Sequence, residues 1–238
     1  MGKSRTALVS LMVVLVTAAG VAKKQEQVPT LRWQSGSAGC SMAQSRSDSL
    51  DRYTIANNDL VITLAVDPRE LTQSQKRAGR VVGVLISVEN RTTSPMLVKQ
   101  SDANLEFVSH SRWQFSSWDA DNLADHIQHQ TDDLMHQTEQ DLDKRPEKVE
   151  KNEERLREQQ KLVSEMVQFL STQGLRDVTL DAAHPKVSGW VFFPSRGKWV
   201  GDWKKREEFV FRIPISGWLV EFPFVLPPDG RPQLKERD

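Results

Sequence analysis

Disulfides are ruled out first. The 238 residues hold one cysteine, Cys40, which has no second thiol in the chain to pair with. Net charge is the next absence: 32 Lys and Arg balance 32 Asp and Glu, for a formal charge of +0. A general nucleic-acid binder normally carries a marked basic excess, so that class is set aside. After the first two dozen residues no apolar run is long enough to cross a bilayer. The chain also has no nucleophile elbow, phosphate loop or dinucleotide glycine motif, which leaves the common hydrolase, kinase and dehydrogenase chemistries without a carrier. No cofactor is expected, and no catalytic residue is assigned.

At the start, Lys3 and Arg5 precede an apolar run from Ala7 to Ala22, and Gly20-Val21-Ala22 supplies small residues where a peptidase cuts. Residues 1–22 therefore read as a secretory signal, and the chain as secreted or held in the cell envelope. Left uncut, the run would be a membrane anchor instead. Ser37-Ala38-Gly39-Cys40 is loosely like a lipid-attachment box, but it follows the apolar run by roughly seventeen residues, too far for one peptidase to read both. Residues 23–52 are rich in Ser, Gln, Gly and charge and read as a flexible linker.

Strand patterns begin near Asp59. Leu60, Ile62, Leu64 and Val66 alternate along one face. Val81, Val82, Val84, Leu85, Ile86 and Val88 form an almost continuous apolar run, the mark of a strand covered on both faces. Asn90-Arg91-Thr92 and Ser94-Pro95 turn the chain. The same Asn-Arg-Thr tripeptide fits a glycosylation acceptor, and is read as a surface turn first. Two short strands follow, at Met96–Lys99 and Asn104–Val108. Late in the chain come strands at Asp177–Leu180 and Val187–Phe193, then a hairpin over Glu208–Ile215 and Trp218–Phe224. Pro214 predicts an edge or a bulge in the first arm of that hairpin. Residues 53–118 and 173–227 thus form the two parts of a mainly β domain, and 228–238 a polar, disordered tail.

The runs RVVGVLISVENRTTSPMLV and SGWVFFPSRGKW resemble bacterial extracellular immunoglobulin-like domains, in which a strand ending in Asn-x-Thr leads into a Pro turn and a Gly-aromatic strand comes late. The resemblance covers about half of the chain. It implies a two-sheet β-sandwich used for adhesion, scaffolding or ligand presentation. It carries over no catalytic residue, and the chain departs from it in lacking a core disulfide and in holding a large insert.

That insert, residues 119–172, is polar, charged and helix-forming. Pro146 cannot sit inside a regular helix but suits a first helical turn, so two helices are expected, 119–143 and 146–172, each roughly 40 Å long. Met135, Leu142, Val149, Leu156, Val163 and Leu170 recur every seven residues, while the partner heptad positions are mostly polar. A narrow seam of this kind closes on itself as a solvated hairpin, or pairs with a second copy or another protein. In the second case Leu142, Val149, Leu156 and Val163 form the interface.

Two further surfaces are candidates. His129, Asp133 and His136 share a helical face and are zinc-ligand types, which would suit a metal-dependent hydrolase. The two imidazoles, however, stand two turns (~10 Å) apart and lack metalloprotease spacing. Trp199 and Trp203 flank a turn ending in Lys204-Lys205-Arg206, and exposed indoles beside cations suit a cell-wall glycan; packing within the fold is the alternative. The sequence thus predicts a secreted, non-catalytic binding or scaffolding protein: an immunoglobulin-like sandwich interrupted by a helical hairpin. A protein partner or second copy on the hairpin is the first choice, and a glycan the second. The membrane enters only if the N-terminal run stays uncut.

Overall fold

Period-two runs pair into two sheets, and the period-3.6 block between them forms two long helices. The computed structural model describes residues 28–44, 50–66, 81–108, 114–144, 149–194 and 207–226. In chain order the elements are β1 (Thr30–Arg32), β2 (Cys40–Gln44), β3 (Asp51–Ala56), β4 (Leu60–Val66), β5 (Val81–Asn90), β6 (Met96–Val98), β7 (Asn104–Phe107) and β8 (Gln114–Ser116). Helices α1 (Ala120–Lys144) and α2 (Val149–Gln173) follow, then β9 (Val178–Leu180), β10 (Lys186–Pro194), β11 (Glu207–Ile215) and β12 (Trp218–Leu226). The fold is mainly β, with two sheets and two long helices among the described residues. The expected signal at 1–22, the tail at 228–238, and Trp199 and Trp203 lie outside the described residues. Among those described, no helix is long and apolar enough to cross a membrane.

One sheet runs β10-β5-β4-β3-β2, antiparallel throughout. In the other, β1 lies parallel to β12 and β12 pairs antiparallel with β11. Strand β11 then meets β7 along Phe209–Arg212 and β6 at Ile215; β6 goes on to β9, and β7 to β8. Pro214 therefore stands inside a central strand rather than at an edge. It falls in the gap where β11 changes partner from β7 to β6, so its missing N–H interrupts no ladder that the two partners need.

The two sheets share one core. Ile62, Leu64, Val84, Ile86 and Phe193 from the first meet Leu105, Phe209, Phe211, Val220 and Phe222 from the second. Strand β5 points Val82, Val84, Ile86 and Val88 into this core; its other face is covered only at the start, where Val81 enters a second core, while Leu85, Ser87 and Glu89 are half-buried. The expected linker is the main departure. Residues 30–32 and 40–44 are strands, and β3 begins at Asp51, inside the same stretch. Their composition is too polar to order them alone. They are ordered by their strand partners, β12 far along the chain for β1 and the neighbouring β3 for β2, with Leu31, Trp33 and Cys40 packed against the shared core.

Asn90 closes β5 as a structural residue. Its side chain is buried, and Nδ2 donates to Ser94 O at 2.8 Å and to Leu180 O at 3.3 Å. Its Oδ1 accepts from Thr92 N at 2.9 Å and Thr92 Oγ1 at 2.8 Å. The amide nitrogen that would carry a glycan is thus engaged in bonding the turn to β9, which supports the turn reading of this tripeptide. Replacing Asn90 with Ala strands these buried groups and should cost about 2 kcal/mol. Urea unfolding would read it as a lower midpoint at unchanged slope.

Candidate interaction surface

The hairpin begins with a cap. Asp119 Oδ1 accepts from Asp121 N at 2.9 Å and Asn122 N at 3.2 Å, satisfying amides that the first turn leaves unpaired. The helices of the hairpin, Ala120–Lys144 and Val149–Gln173, lie close to the expected spans. The residues where α1 enters and α2 leaves are bonded to one strand, β10. Trp118 N donates to Phe192 O at 2.9 Å and Leu175 N donates to Trp190 O at 2.8 Å. Arg176 crosses from the end of α2 to grip Asp121 at the start of α1 with two hydrogen bonds. The Arg176 hydrogen bond, and then its charge, hold the Asp121 carboxyl below the usual carboxylate range against the opposing effect of burial. Both groups are half-exposed, so water screens the pair and it acts mainly as a locator.

Close packing at this root depends on two glycines. A Cβ on Gly174 would lie 2.4 Å from Ala120 Cβ and 2.7 Å from Leu170 O. One on Gly189 of β10 would lie 2.7 Å from the Leu175 Cα. Absence of a side chain at both positions lets the base of the hairpin sit directly on the strand.

Above the root is the second core, formed by Ala120, Leu123, Ala124 and Ile127 of α1, Val163 and Leu170 of α2, and Val81 and Phe192 of the sheet. Phe169 packs edge-on to Phe192 and tilted to Trp190, sealing its side. Among described side chains, burial of apolar residues stops at Ile127 on α1 and at Val163 on α2. At about 1.5 Å per residue, each 25-residue helix extends well past this docked base. The two stay aligned further out, where Gln160 Nε2 donates to Met135 Sδ at 3.2 Å. On this outer part Leu134 is 43% exposed and Leu162 38% exposed, among neighbours that are mostly charged or polar.

The four residues expected to form an interface separate into three groups. Val163 is only 4% exposed and belongs to the second core, so it is no free contact residue. The seven-residue stripe faces inward there because the polar outer face leaves the hairpin no other way to hide it. Leu156 is half-buried. Leu142 lies in α1 and Val149 opens α2, and their side chains fall outside the described set. Leu134, one of the apolar positions that the sequence shows in the first helix, and Leu162 both lie off the seven-residue stripe, so neither was among the expected interface residues.

His129, Asp133 and His136 lie on the outer part of α1, with His129 and Asp133 exposed. Among the described residues no group of three or more His, Cys, Asp or Glu is placed to hold a metal, in keeping with the two-turn separation of the imidazoles. The most developed charge cluster is structural and lies on the face of β1, β12, β11 and β7 away from the core. Arg32 Nη1 donates to Glu221 Oε2 at 2.7 Å, Arg212 Nε donates to Glu221 Oε1 at 2.6 Å, and Arg212 Nη1 donates to Glu106. Charges alternate in sign across four strands, which is favourable cross-strand pairing. Burial pushes Glu221 up, but the hydrogen bonds and charges of Arg212 and Arg32 outweigh it and hold the carboxyl below its usual range.

Compared with family models, curated proteins and solved structures, the chain matches none.

Proposed function

We propose that the chain is a secreted or envelope-associated binding and scaffolding protein without catalytic activity, in which an immunoglobulin-like sandwich displays the α1–α2 hairpin to a protein partner. The observation that carries this reading is the division of the hairpin. Its base is packed on β10 and β5 through the second core, while its outer part keeps Leu134 and Leu162 in water. Exposed leucines on an otherwise polar arm offer a protein partner apolar side chains to bury at the centre of a contact with a polar rim.

Strand pairing supports the sandwich. An immunoglobulin-type sandwich places its second strand beside its fifth, and its sixth between its third and seventh. Strand β5 lies beside β10, and β11 lies between β7 and β12. In that correspondence the hairpin occupies the stretch between the third and fifth strands, where a connection at the sheet margin tolerates enlargement.

The test is a Leu134→Asp, Leu162→Asp double variant. Capture of the partner from native envelope should fall by about tenfold or more, with the fold retained and the thermal midpoint only modestly lower, because both side chains are partly exposed and Asp is a poorer helix former than Leu. Undiminished capture would rule out the hairpin as the contact surface.

A further inference from the structure

We infer that strand β2 is a self-complementary edge through which two copies of this chain pair antiparallel, joining their five-stranded sheets into one. The inference is independent of the hairpin reading and rests on the margins of the sheets.

Edge strands carry unpaired backbone groups, and proteins guard them with short length, Lys, Pro or a covering segment. The opposite edge of the same sheet, β10, is covered: Trp118 and Leu175 bond to its carbonyls. In the second sheet the outer strands β1, β8 and β9 are three residues each. Strand β2 is five residues, Cys-Ser-Met-Ala-Gln, and holds neither a charge nor a proline. No described residue lies beyond it in the sheet.

Its hydrogen-bonding phase suits a twofold axis. Ala56 N donates to Gly39 O at 2.7 Å, so residues 39, 41 and 43 exchange bonds with β3 in the alternating antiparallel pattern. Residues 40, 42 and 44 turn their backbone groups outward. Of these, the Cys40 N–H is already engaged with Ser37 O at 3.0 Å. With Met42 on the axis, each Met42 N–H donates to the Met42 carbonyl of the other copy, and each Gln44 N–H donates to the other Cys40 carbonyl. Four hydrogen bonds form, and the engaged Cys40 N–H is not needed.

Side chains agree with this phase. Met42 pairs with Tyr53 across β2 and β3 and so points to the core side of the sheet, where the Trp33 indole donates to Ser41 O at 3.0 Å and packs edge-on to Tyr53, yet Met42 is still 46% exposed. Twofold pairing sets Met42 against Met42 and covers both. The absence of charge on β2 means that no like charges meet across the axis.

The register supplies its own test. Cys40 of one copy faces Gln44 of the other at a Cα separation of about 5.5 Å, within disulfide reach. The two Cys40 residues are about 13 Å apart along the strand, too far to bridge. A full chain carrying Gln44→Cys should form a covalent dimer under mild oxidation. Its mass spectrum should show a peptide joining Cys40 to the introduced thiol of the other copy, and no such peptide in a Cys40→Ser background. Wild type should show a concentration-dependent dimer by sedimentation, weakened about tenfold or more by Met42→Lys. That variant leaves the β2–β3 bonds intact, since the residue 42 backbone faces outward. A chain that stays monomeric and yields no such cross-link would overturn the inference, as it would if the edge served another protein or the chain's own terminus. So would a dimer that ignores Met42→Lys and lacks the link, or a link joining the two introduced thiols to each other, which belongs to a different register.

Discussion

Arg212→Leu should destabilise the chain by about 3 kcal/mol at neutral pH, the cost of removing one partner from a largely buried ionic cluster. Arg212 bonds both Glu221 and Glu106, and its side chain is only 21% exposed. Without it the two carboxylates stand near each other on the sheet with Arg32 as the remaining cation, bonded to Glu221. The dependence on pH should distinguish this cause from simple loss of packing. In the native chain Glu221 titrates below its ordinary value, because the hydrogen bonds and charges of Arg212 and Arg32 outweigh the upward push of burial. Its contribution is therefore complete above the unfolded carboxylate value of about 4.3 and is lost as pH falls through the lower folded value. In the variant, protonation relieves the uncompensated carboxylates instead. The stability gap between the two chains should narrow between about pH 7 and pH 3, measured by urea unfolding at each pH. A gap of equal size at both ends would assign the loss to the Arg212 methylenes rather than to the charges.

Gly189→Val should have a comparable effect through sterics, roughly 3 kcal/mol. Obstruction comes from backbone: Leu175 Cα at 2.7 Å and Leu175 N at 2.8 Å from the new Cβ. Backbone at this place cannot swing aside, because Leu175 N is bonded to Trp190 O. The hairpin exit must lift from β10, which breaks that bond and loosens the second core at Leu170 and Phe192. Hydrogen exchange should show the amides of Leu175 and Trp118 losing protection before those of β4. Uniform loss across both sheets would mean that the hairpin and the sheets unfold as one unit. If the hairpin is the contact surface, Gly189→Val should weaken partner capture as well, since it alters how the arm is held without touching Leu134 or Leu162.

What could be read from the sequence follows from how local each signal is. Strands β4, β11 and β12 stand close to where alternation put them and β5 close to where its continuous apolar run did, since each signal is carried by the strand's own residues. The spans of the two helices also lie close to those expected; Pro146, which set the expected break between them, lies outside the described residues, and the Asp119 cap was found only in the structure. The polar seven-residue seam was legible as a stripe, but its occupant was not. Val163 turned inward to meet Ile127 and Phe192, and only the sheet face beneath the hairpin could specify that.

By itself, then, the sequence determined the mainly β class, the paired helices inserted within it, and the lack of any internal disulfide. All three depend on composition or on the spacing of near neighbours. Tertiary structure alone decided that residues 30–32 and 40–44 are strands, that Pro214 fits a central strand, that Arg212 holds two carboxylates, and that β2 is the outermost strand of its sheet among the described residues. These depend on which segment lies alongside. A short polar strand gains its order from the backbone of its neighbour, so Thr30–Arg32 needed Leu219–Glu221 beside it before its conformation had a cause.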